Sequence, residues 1–105
     1  MKRHITSVAD LGTLVRATRK SAGMRLDDLA ATANLSKQFV NDVELGKPGV
    51  QLGKVFQLLQ ELGVYLLVDV PDEVDSRVAD AKNQIEKTAQ RREARSLASR
   101  RKSSR

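Results

Sequence analysis

The feature that most constrains the fold is the stretch LAATANLSKQFVNDVELG, residues 29–46, in which two short helical patterns meet at Asn34. Asn tolerates the left-handed backbone conformation that a tight turn between helices requires. A small residue before the turn, Ala30, lets the first helix lie close to the second. Two structures fit this pattern: a plain corner between packed helices, or a unit that places one helix in a DNA groove.

Four short helices are predicted over residues 1–63 from apolar spacing and from start and stop signals. The first begins after Ser7, which with Asp10 resembles a capping box, and it stops at Gly23. The others cover about 26–33, 37–45 and 52–62. The predicted inward residues are Val8, Leu11, Val15, Thr18, Ala22, Leu26, Leu29, Ala30, Ala33, Val40, Val43, Leu52, Val55, Phe56 and Leu59. Because none of these helices is long enough to persist alone, we expect one domain with a shared core.

Composition narrows the function classes. The chain has 19 Lys and Arg against 13 Asp and Glu, a net charge of +6, and this favours a polyanionic partner. It has no cysteine and one histidine, His4, so neither a disulfide framework nor a thiolate metal site is expected. No Gly-rich phosphate loop or nucleophile–base pair appears. We therefore predict a protein that is not an enzyme and needs no cofactor or metal, and we expect no membrane segment.

The spacing around Asn34 matches what a helix-turn-helix requires. Counted from Leu26, the fifth residue is small (Ala30), the ninth is a turn former, and apolar residues occupy the remaining contact positions: Leu29, Ala33, Leu35, Val40 and Val43. The flanking stretches LGTLVRATRKSAGM, ELGKPG and VFQLLQELGV complete the same frame. Over residues 8–70 the chain resembles the Cro/phage-repressor (XRE-like) helix-turn-helix family. The resemblance implies a mainly α, lambda-repressor-like domain of four to five helices that binds double-stranded DNA in the bacterial cytoplasm, associated with the nucleoid.

The resemblance implies that the third helix is the recognition helix and enters the major groove with its N-terminus first. The side chains predicted to contact bases are Lys37, Gln38, Asn41 and Asp42. The residues predicted to contact phosphates are Arg25, Ser36 and Lys47. Lys suits guanine, and Gln or Asn suits adenine. Asp42 fits a cytosine amino group or holds Lys37 or Gln38 in place.

Three positions near this motif carry further expectations. The family usually has a polar cap and a Gln at the start of the second helix, where this chain has Arg25 and Leu26, so Arg25 is expected to contact the backbone as a charge. Phe39 either touches a thymine methyl group or packs at the edge of the core. The resemblance also implies a structural ion pair between Arg19 and Glu44, whereas the plain alternative is two surface charges.

After the fourth helix, LGVYLLVDVP alternates like a strand, with Val64, Leu66, Val68 and Val70 on one face. A single strand needs a partner, so we predict that it pairs with its copy across a two-fold axis and forms a homodimer on a palindromic operator. The alternatives are a folded-back extension and a fifth short helix. A helix-turn-helix with one dimer strand resembles the HipB-type antitoxins, which implies autorepression and binding of a HipA-like Ser/Thr kinase toxin. The rival function is a stand-alone repressor without a toxin.

The sequence divides into a folded region, residues 1–71, and a tail, residues 72–105. Up to residue 90 the tail carries a thin apolar stripe that consists of Val74, Val78, Ala81, Ile85 and Ala89. This stripe predicts either a helix that docks on the folded region or on a partner, or a marginal helix that forms only on binding. From about Arg91 the sequence RREARSLASRRKSSR has a net charge of +6 and no apolar face, so we predict disorder there. This basic stretch either lies along DNA phosphates, serves the toxin, or stays solvated.

Overall fold

The structure is a computed structural model that describes residues 1–103. Within this range the chain forms six helices: α1 (Val8–Ser21), α2 (Leu26–Ala33), α3 (Lys37–Glu44), α4 (Leu52–Leu62), α5 (Asp72–Asp75) and α6 (Val78–Ser103). The four helices predicted over residues 1–63 are confirmed, and their bounds follow the capping signals closely. The chain separates into two compact units, Met1–Leu66 and a second unit that starts at Leu67.

Local chemistry explains where the first four helices begin and end. The Ser7 hydroxyl accepts a hydrogen bond from the backbone N–H of Asp10 at 3.0 Å and caps α1. The Ser36 hydroxyl caps α3 in the same way, accepting from the N–H of Phe39 at 3.0 Å. At the other end, α4 stops at Gly63, whose φ of 70° lies in the left-handed region that glycine adopts without steric cost.

The core of the first unit lies between these four helices, with α3 packed against α1 and α2, and α4 packed against the same two helices. Its buried hydrophobic residues are Val15, Leu29, Ala30, Ala33, Val40, Val43, Val55, Leu58 and Leu59. A side-chain bond also joins two of the helices, because the Gln57 amide donates to the Ala33 carbonyl at 2.7 Å. These contacts give α3 two supporting helices, which position its outer face.

The inward face of α4 differs from the prediction. The spacing predicts Leu52 and Phe56 inside, but they are 62% and 49% exposed, whereas Leu58 is fully buried. The apolar residues of α4 form a stripe wider than the face that is buried, so the spacing alone supports more than one inward face. Contact with α1 and α2 selects the face formed by Val55, Leu58 and Leu59.

The predicted C-terminal strand is wrong: no strand occurs anywhere in residues 1–103. Residues 64–70, here called the linker segment, have no regular secondary structure. Of the four side chains predicted on its buried face, Val64 packs against the core of its own chain. The other three, Leu66, Val68 and Val70, are exposed. Alternation makes a residue compatible with a strand, but a strand forms only when a neighbouring strand accepts its backbone hydrogen bonds, and this chain supplies none within the described residues.

The tail also differs from the prediction. Instead of becoming disordered from Arg91, the chain continues as one helix, α6, to Ser103. Ala, Arg, Glu, Gln, Lys and Leu make up most of this helix and have high helix propensity, so the backbone needs no apolar face to favour the helical conformation locally. The end of the predicted disordered stretch, residues 104 and 105, lies outside the described residues.

Candidate nucleic-acid interface

The turn between α2 and α3 sets the angle between these two helices. Asn34 adopts φ 57° and ψ 44°, the left-handed conformation, and it is the one non-glycine residue with positive φ in the described chain. The backbone N–H of Leu35 donates to the Ala30 carbonyl at 2.9 Å, and that of Asn34 donates to the Ala31 carbonyl at 3.2 Å. These bonds close the end of α2 and direct the chain into α3 after three residues, 34–36.

The buried face of helix α3 packs closely against α1. Val40 and Val43 are fully buried. At Gly12 of α1 the two backbones lie so close that an added Cβ would collide with the Val43 carbonyl and lie 2.9 Å from the Glu44 carbonyl oxygen. Because a buried helix in such contact has little freedom to shift, the opposite face of α3 is presented in one defined position.

The ends of α1 and α3 are joined by Arg19 and Glu44. The Arg19 Nε donates to Glu44 Oε2 at 2.7 Å and its Nη2 donates to Oε1 at 3.0 Å, a bidentate pair. The third guanidinium nitrogen, Nη1, donates to the Met24 carbonyl at 2.9 Å in the loop before α2. The hydrogen bond to Glu44 raises the pKa of Arg19 above its ordinary value, against the effect of burial. One buried cation thus connects α1, the loop before α2 and the end of α3.

The outer face of α3 carries the four residues predicted to contact bases. Lys37 and Gln38 are exposed in its first turn, and Asn41 and Asp42 are half-buried one turn later. Gln38 Nε2 donates to Asp42 Oδ1 at 2.8 Å. Lys47 Nζ, from the loop after the helix, lies 3.0 Å from the same oxygen. The pKa of Asp42 lies below its ordinary value, chiefly because of the bond from Lys47 and then because of the bond from Gln38.

The three residues predicted to contact phosphates have different local roles. Arg25 occupies the N-cap position of α2 without a side-chain cap bond, and its exposed guanidinium lies 3.4 Å from Asp28. The Ser36 hydroxyl is engaged as the cap of α3. Lys47 is paired with Asp42 as described above. All three side chains are exposed and flank the two helices of the motif.

One further contact at this face, between Phe39 and Lys54, was not anticipated from the sequence. Phe39 packs half-buried against the core, and Lys54 of α4 places its Nζ 5.8 Å from the centre of the Phe39 ring. This places Phe39 at the core edge, one of the two alternatives considered, and adds a cation next to α3. The sequence signal for Lys54 was weak, since a single Lys near a helix start is ordinary. No group of His, Cys, Asp and Glu residues suited to a metal ion, and no helix long and apolar enough for a membrane, occurs in residues 1–103.

Comparison with known proteins identifies a family model and a relative that match this chain. The helix-turn-helix family (HTH_3) matches residues 15–68. The chain is similar to the uncharacterized HTH-type transcriptional regulator y4mF of Sinorhizobium fredii (strain NBRC 101917 / NGR234), with 44% identity over 73 residues, covering 70% of this chain and 96% of that protein.

The fold of this chain is also similar to chains in two solved structures, a HipB–O4 20mer complex and a HipA–HipB–O2–O3 complex. Each match has a TM-score of 0.61 at 18% identity and covers 68% of this chain and all of the matched chain.

Proposed function

The chain belongs to the helix-turn-helix family of DNA-binding transcriptional regulators, of the Cro/C1 (XRE) type, and from this we propose that it represses transcription by recognising an operator with α3. Regulators of this family act by binding DNA and are typically not enzymes. Such a regulator acts on the bacterial nucleoid. The observation that carries the proposal is the outer face of α3, where exposed Lys37 and Gln38 lie on a helix whose other side is locked into the core.

The chemistry of this face suits direct recognition of bases. A Lys ammonium can donate to guanine O6 and N7, and a Gln or Asn amide can pair with adenine through a donor and an acceptor. Arg25 and Lys47 are cations that flank the helices, so they suit phosphates and would set the register of the protein on the duplex. Ser36 adds a hydroxyl at the N-terminus of α3, where the helix dipole favours an anion.

The test is footprinting on the promoter of the protein's own operon, followed by titration of single variants. Gln38→Ala and Asn41→Ala should each weaken specific binding by about 1–3 kcal/mol and relax preference at one or two base pairs. Gln60→Ala, which removes an exposed amide from α4, is the matched control and should bind like the parent. If all three variants bind the operator equally, α3 is not the recognition helix.

The proposed DNA-bound form is a homodimer on a palindromic operator. Tyr65, Leu67 and Val68 of the linker segment are largely exposed, and covering such a run of apolar side chains is favourable. A second copy related by a two-fold axis would cover the same residues on both chains and would supply a second α3. Such a dimer would recognise two half-sites about 34 Å apart, one helical turn.

We infer, more specifically, that the chain is the antitoxin of a HipBA-like type II toxin–antitoxin pair, which represses its own operon and binds a HipA-like Ser/Thr kinase toxin. The support is the similarity of its fold to chains in the HipB–O4 and HipA–HipB–O2–O3 complexes. The second candidate is a stand-alone repressor of the XRE type. It is favoured by the name of the relative from Sinorhizobium fredii, which describes a transcriptional regulator and no toxin.

Affinity purification of the tagged protein from its native host distinguishes these two functions. An antitoxin should retain a kinase encoded next to it, and the purified kinase should lose activity when the two are mixed. Gln38→Ala is the control, because a variant defective in operator recognition should still retain the kinase. Operator binding without any retained kinase would support the stand-alone repressor and contradict the antitoxin assignment.

A further inference from the structure

Asp42 occupies a central position on the outer face of α3. Its Oδ1 accepts from Gln38 Nε2 at 2.8 Å and lies 3.0 Å from Lys47 Nζ, so one oxygen joins a predicted base contact to a predicted phosphate contact. The Asp42 side chain is 25% exposed, less than the Lys47 side chain with which it pairs. The carboxylate is thus already engaged by two neighbours of its own chain.

This contact controls which way the Gln38 amide faces. An ionised carboxylate is an acceptor without a donor, so it attracts the NH₂ end of the amide and repels the carbonyl end. The amide has two N–H groups and one oxygen. When the N–H directed at Asp42 is the one trans to Oε1, the second N–H and Oε1 are left side by side. These two groups form the donor and acceptor pair that matches N7 and the N6 amino group of adenine.

Lys47 keeps this arrangement suitable for DNA. Its ammonium neutralises the carboxylate, which would otherwise repel the phosphates that approach α3. The lowered pKa of Asp42 has the same source and keeps the carboxylate ionised at neutral pH, so it stays an acceptor for the Gln38 amide.

We propose that Asp42 is a positioning residue that determines specificity by orienting the Gln38 amide toward adenine, instead of contacting a base itself. This inference rests on the proposed function, since it requires α3 to be the recognition helix. It adds a residue whose effect on base preference passes through Gln38. Asp42→Ala should therefore weaken the same base preference that Gln38→Ala weakens.

The experiment is binding-site selection from a randomised duplex library, with the full-length parent, Gln38→Ala, Asp42→Ala, Asp42→Asn and the double variant Gln38→Ala/Asp42→Ala. Gln38→Ala should reduce the preference for adenine at one position about tenfold. Asp42→Ala should cause most of that reduction at the same position, and the double variant should show no further reduction. Asp42→Asn should retain only part of the preference, because its Oδ1 still accepts from the amide but its Nδ2 can also donate to Oε1 of Gln38.

Thermal melts followed by circular dichroism accompany each variant. Both partners of Asp42 are exposed side chains, so its replacement leaves the buried core untouched, and binding is measured below each midpoint. Three results would overturn the inference. Asp42→Ala could keep the preference that Gln38→Ala removes, or the double variant could show reduced preference at a second position, as expected for direct contact with a base. If Gln38→Ala itself keeps full preference, the inference fails because Gln38 does not recognise this base, whereas the recognition role of α3 is tested separately by Asn41→Ala.

Discussion

Gly12 lies where the backbones of α1 and α3 touch, and no other residue type fits there without movement. A methyl group at this position would meet the carbonyls of Val43 and Glu44, which are backbone atoms and cannot rotate away. We predict that Gly12→Ala lowers the free energy of unfolding by about 1–3 kcal/mol, as overpacking of a core does. Equilibrium unfolding in urea measures it.

Gly53 offers the matched control for this substitution. It also lies in a helix, but an added Cβ at Gly53 meets nothing within 4 Å. Gly53→Ala should therefore raise the free energy of unfolding by up to about 1 kcal/mol, because Ala has the higher helix propensity. Equal changes in the two variants would mean that α1 and α3 do not pack as closely as described.

Arg19 supports α3 through an ion pair with Glu44, whereas Gly12 supports it through close backbone packing. Replacing Arg19 by Met leaves the Glu44 carboxylate, whose side chain is 4% exposed, without its cation. We predict that Arg19→Met lowers the free energy of unfolding by about 3–5 kcal/mol. The double variant Arg19→Met/Glu44→Met should recover much of this loss, because no uncompensated buried charge remains. Urea unfolding of the two variants and the parent gives all three values.

The control for Arg19 is Arg16, an exposed residue of the same helix. Arg16→Met should change the free energy of unfolding by less than about 0.5 kcal/mol. A similar small effect for Arg19→Met would show that the bidentate pair contributes little, and its role in holding α3 would have to be abandoned.

The N-terminus of α1 depends on a carboxylate as well as on its serine cap. Asp10 Oδ2 accepts from both the backbone N–H and the hydroxyl of Thr6, each at 3.1 Å, so the carboxylate bonds to Thr6 instead of closing a capping box on Ser7. These bonds, the backbone one first, lower the pKa of Asp10 below its ordinary value of 3.8. Since the folded-state pKa is depressed, the stabilisation is complete above pH 3.8 and disappears as the pH falls through the folded value.

We therefore predict that Asp10→Asn lowers the melting temperature at neutral pH and that the difference from the parent narrows once the pH falls below about 3.8. Thr6→Val removes one of the two donors, so it should show a smaller difference with the same dependence on pH. Melting curves between pH 2 and pH 7 record both; a difference that is constant over this range would rule out the carboxylate as its source.

Within the linker segment, the exposed apolar residues offer a direct test of the proposed homodimer. Leu67→Asn/Val68→Asn replaces two side chains that are 73% and 82% exposed, so the fold of a single chain should be unaffected. If these residues lie at the interface, the double variant should be a monomer by light scattering. Operator affinity should then fall steeply, because each α3 recognises one half-site alone.

Ile85 of α6 is the control, since it is also an exposed apolar residue, at 70%. Ile85→Asn should leave the oligomeric state unchanged. The reverse outcome, a dimer with the linker variant and a monomer with Ile85→Asn, would move the interface to α6 and contradict the placement at residues 64–70.

The basic stretch that begins at Arg91 is expected to act on DNA through its charge. Residues 91–105 contain seven Lys and Arg and one acidic residue, Glu93. If they lie on phosphates, truncation after residue 90 should make the slope of log K against log salt shallower by about 0.9 for each phosphate that is no longer neutralised. Affinity should fall alike for operator and unrelated duplexes, because binding to phosphates carries no base information.

The matched variant for the truncation is Arg91→Gln/Arg92→Gln/Arg95→Gln, which keeps the length of the helix and its propensity while it removes three charges. It should reproduce part of the change in slope. An unchanged slope in both proteins would refute a DNA role for this part of α6, and weaker retention of a kinase partner would then point to a role in toxin binding.

Local sequence was sufficient for the first four helices and for the turn between α2 and α3. Ser7, Ser36, Asn34 and Gly63 act on the backbone within a few residues of themselves, through caps and left-handed conformations, so their effect does not depend on the rest of the fold. The same locality explains why α6 continues past Arg91, where helix propensity outweighs the missing apolar face.

Tertiary structure decided the features that depend on a neighbour distant in the chain. Alternation over residues 64–70 indicated a strand, but a strand needs hydrogen-bonding partners that the described chain does not provide. The choice between Phe56 and Leu58 on α4 was made by contact with α1 and α2. The bond from Gln57 to the Ala33 carbonyl, 24 residues earlier in the chain, depends on how α4 packs against α2. Sequence spacing describes one element at a time, whereas burial and shared contacts are properties of several elements packed together.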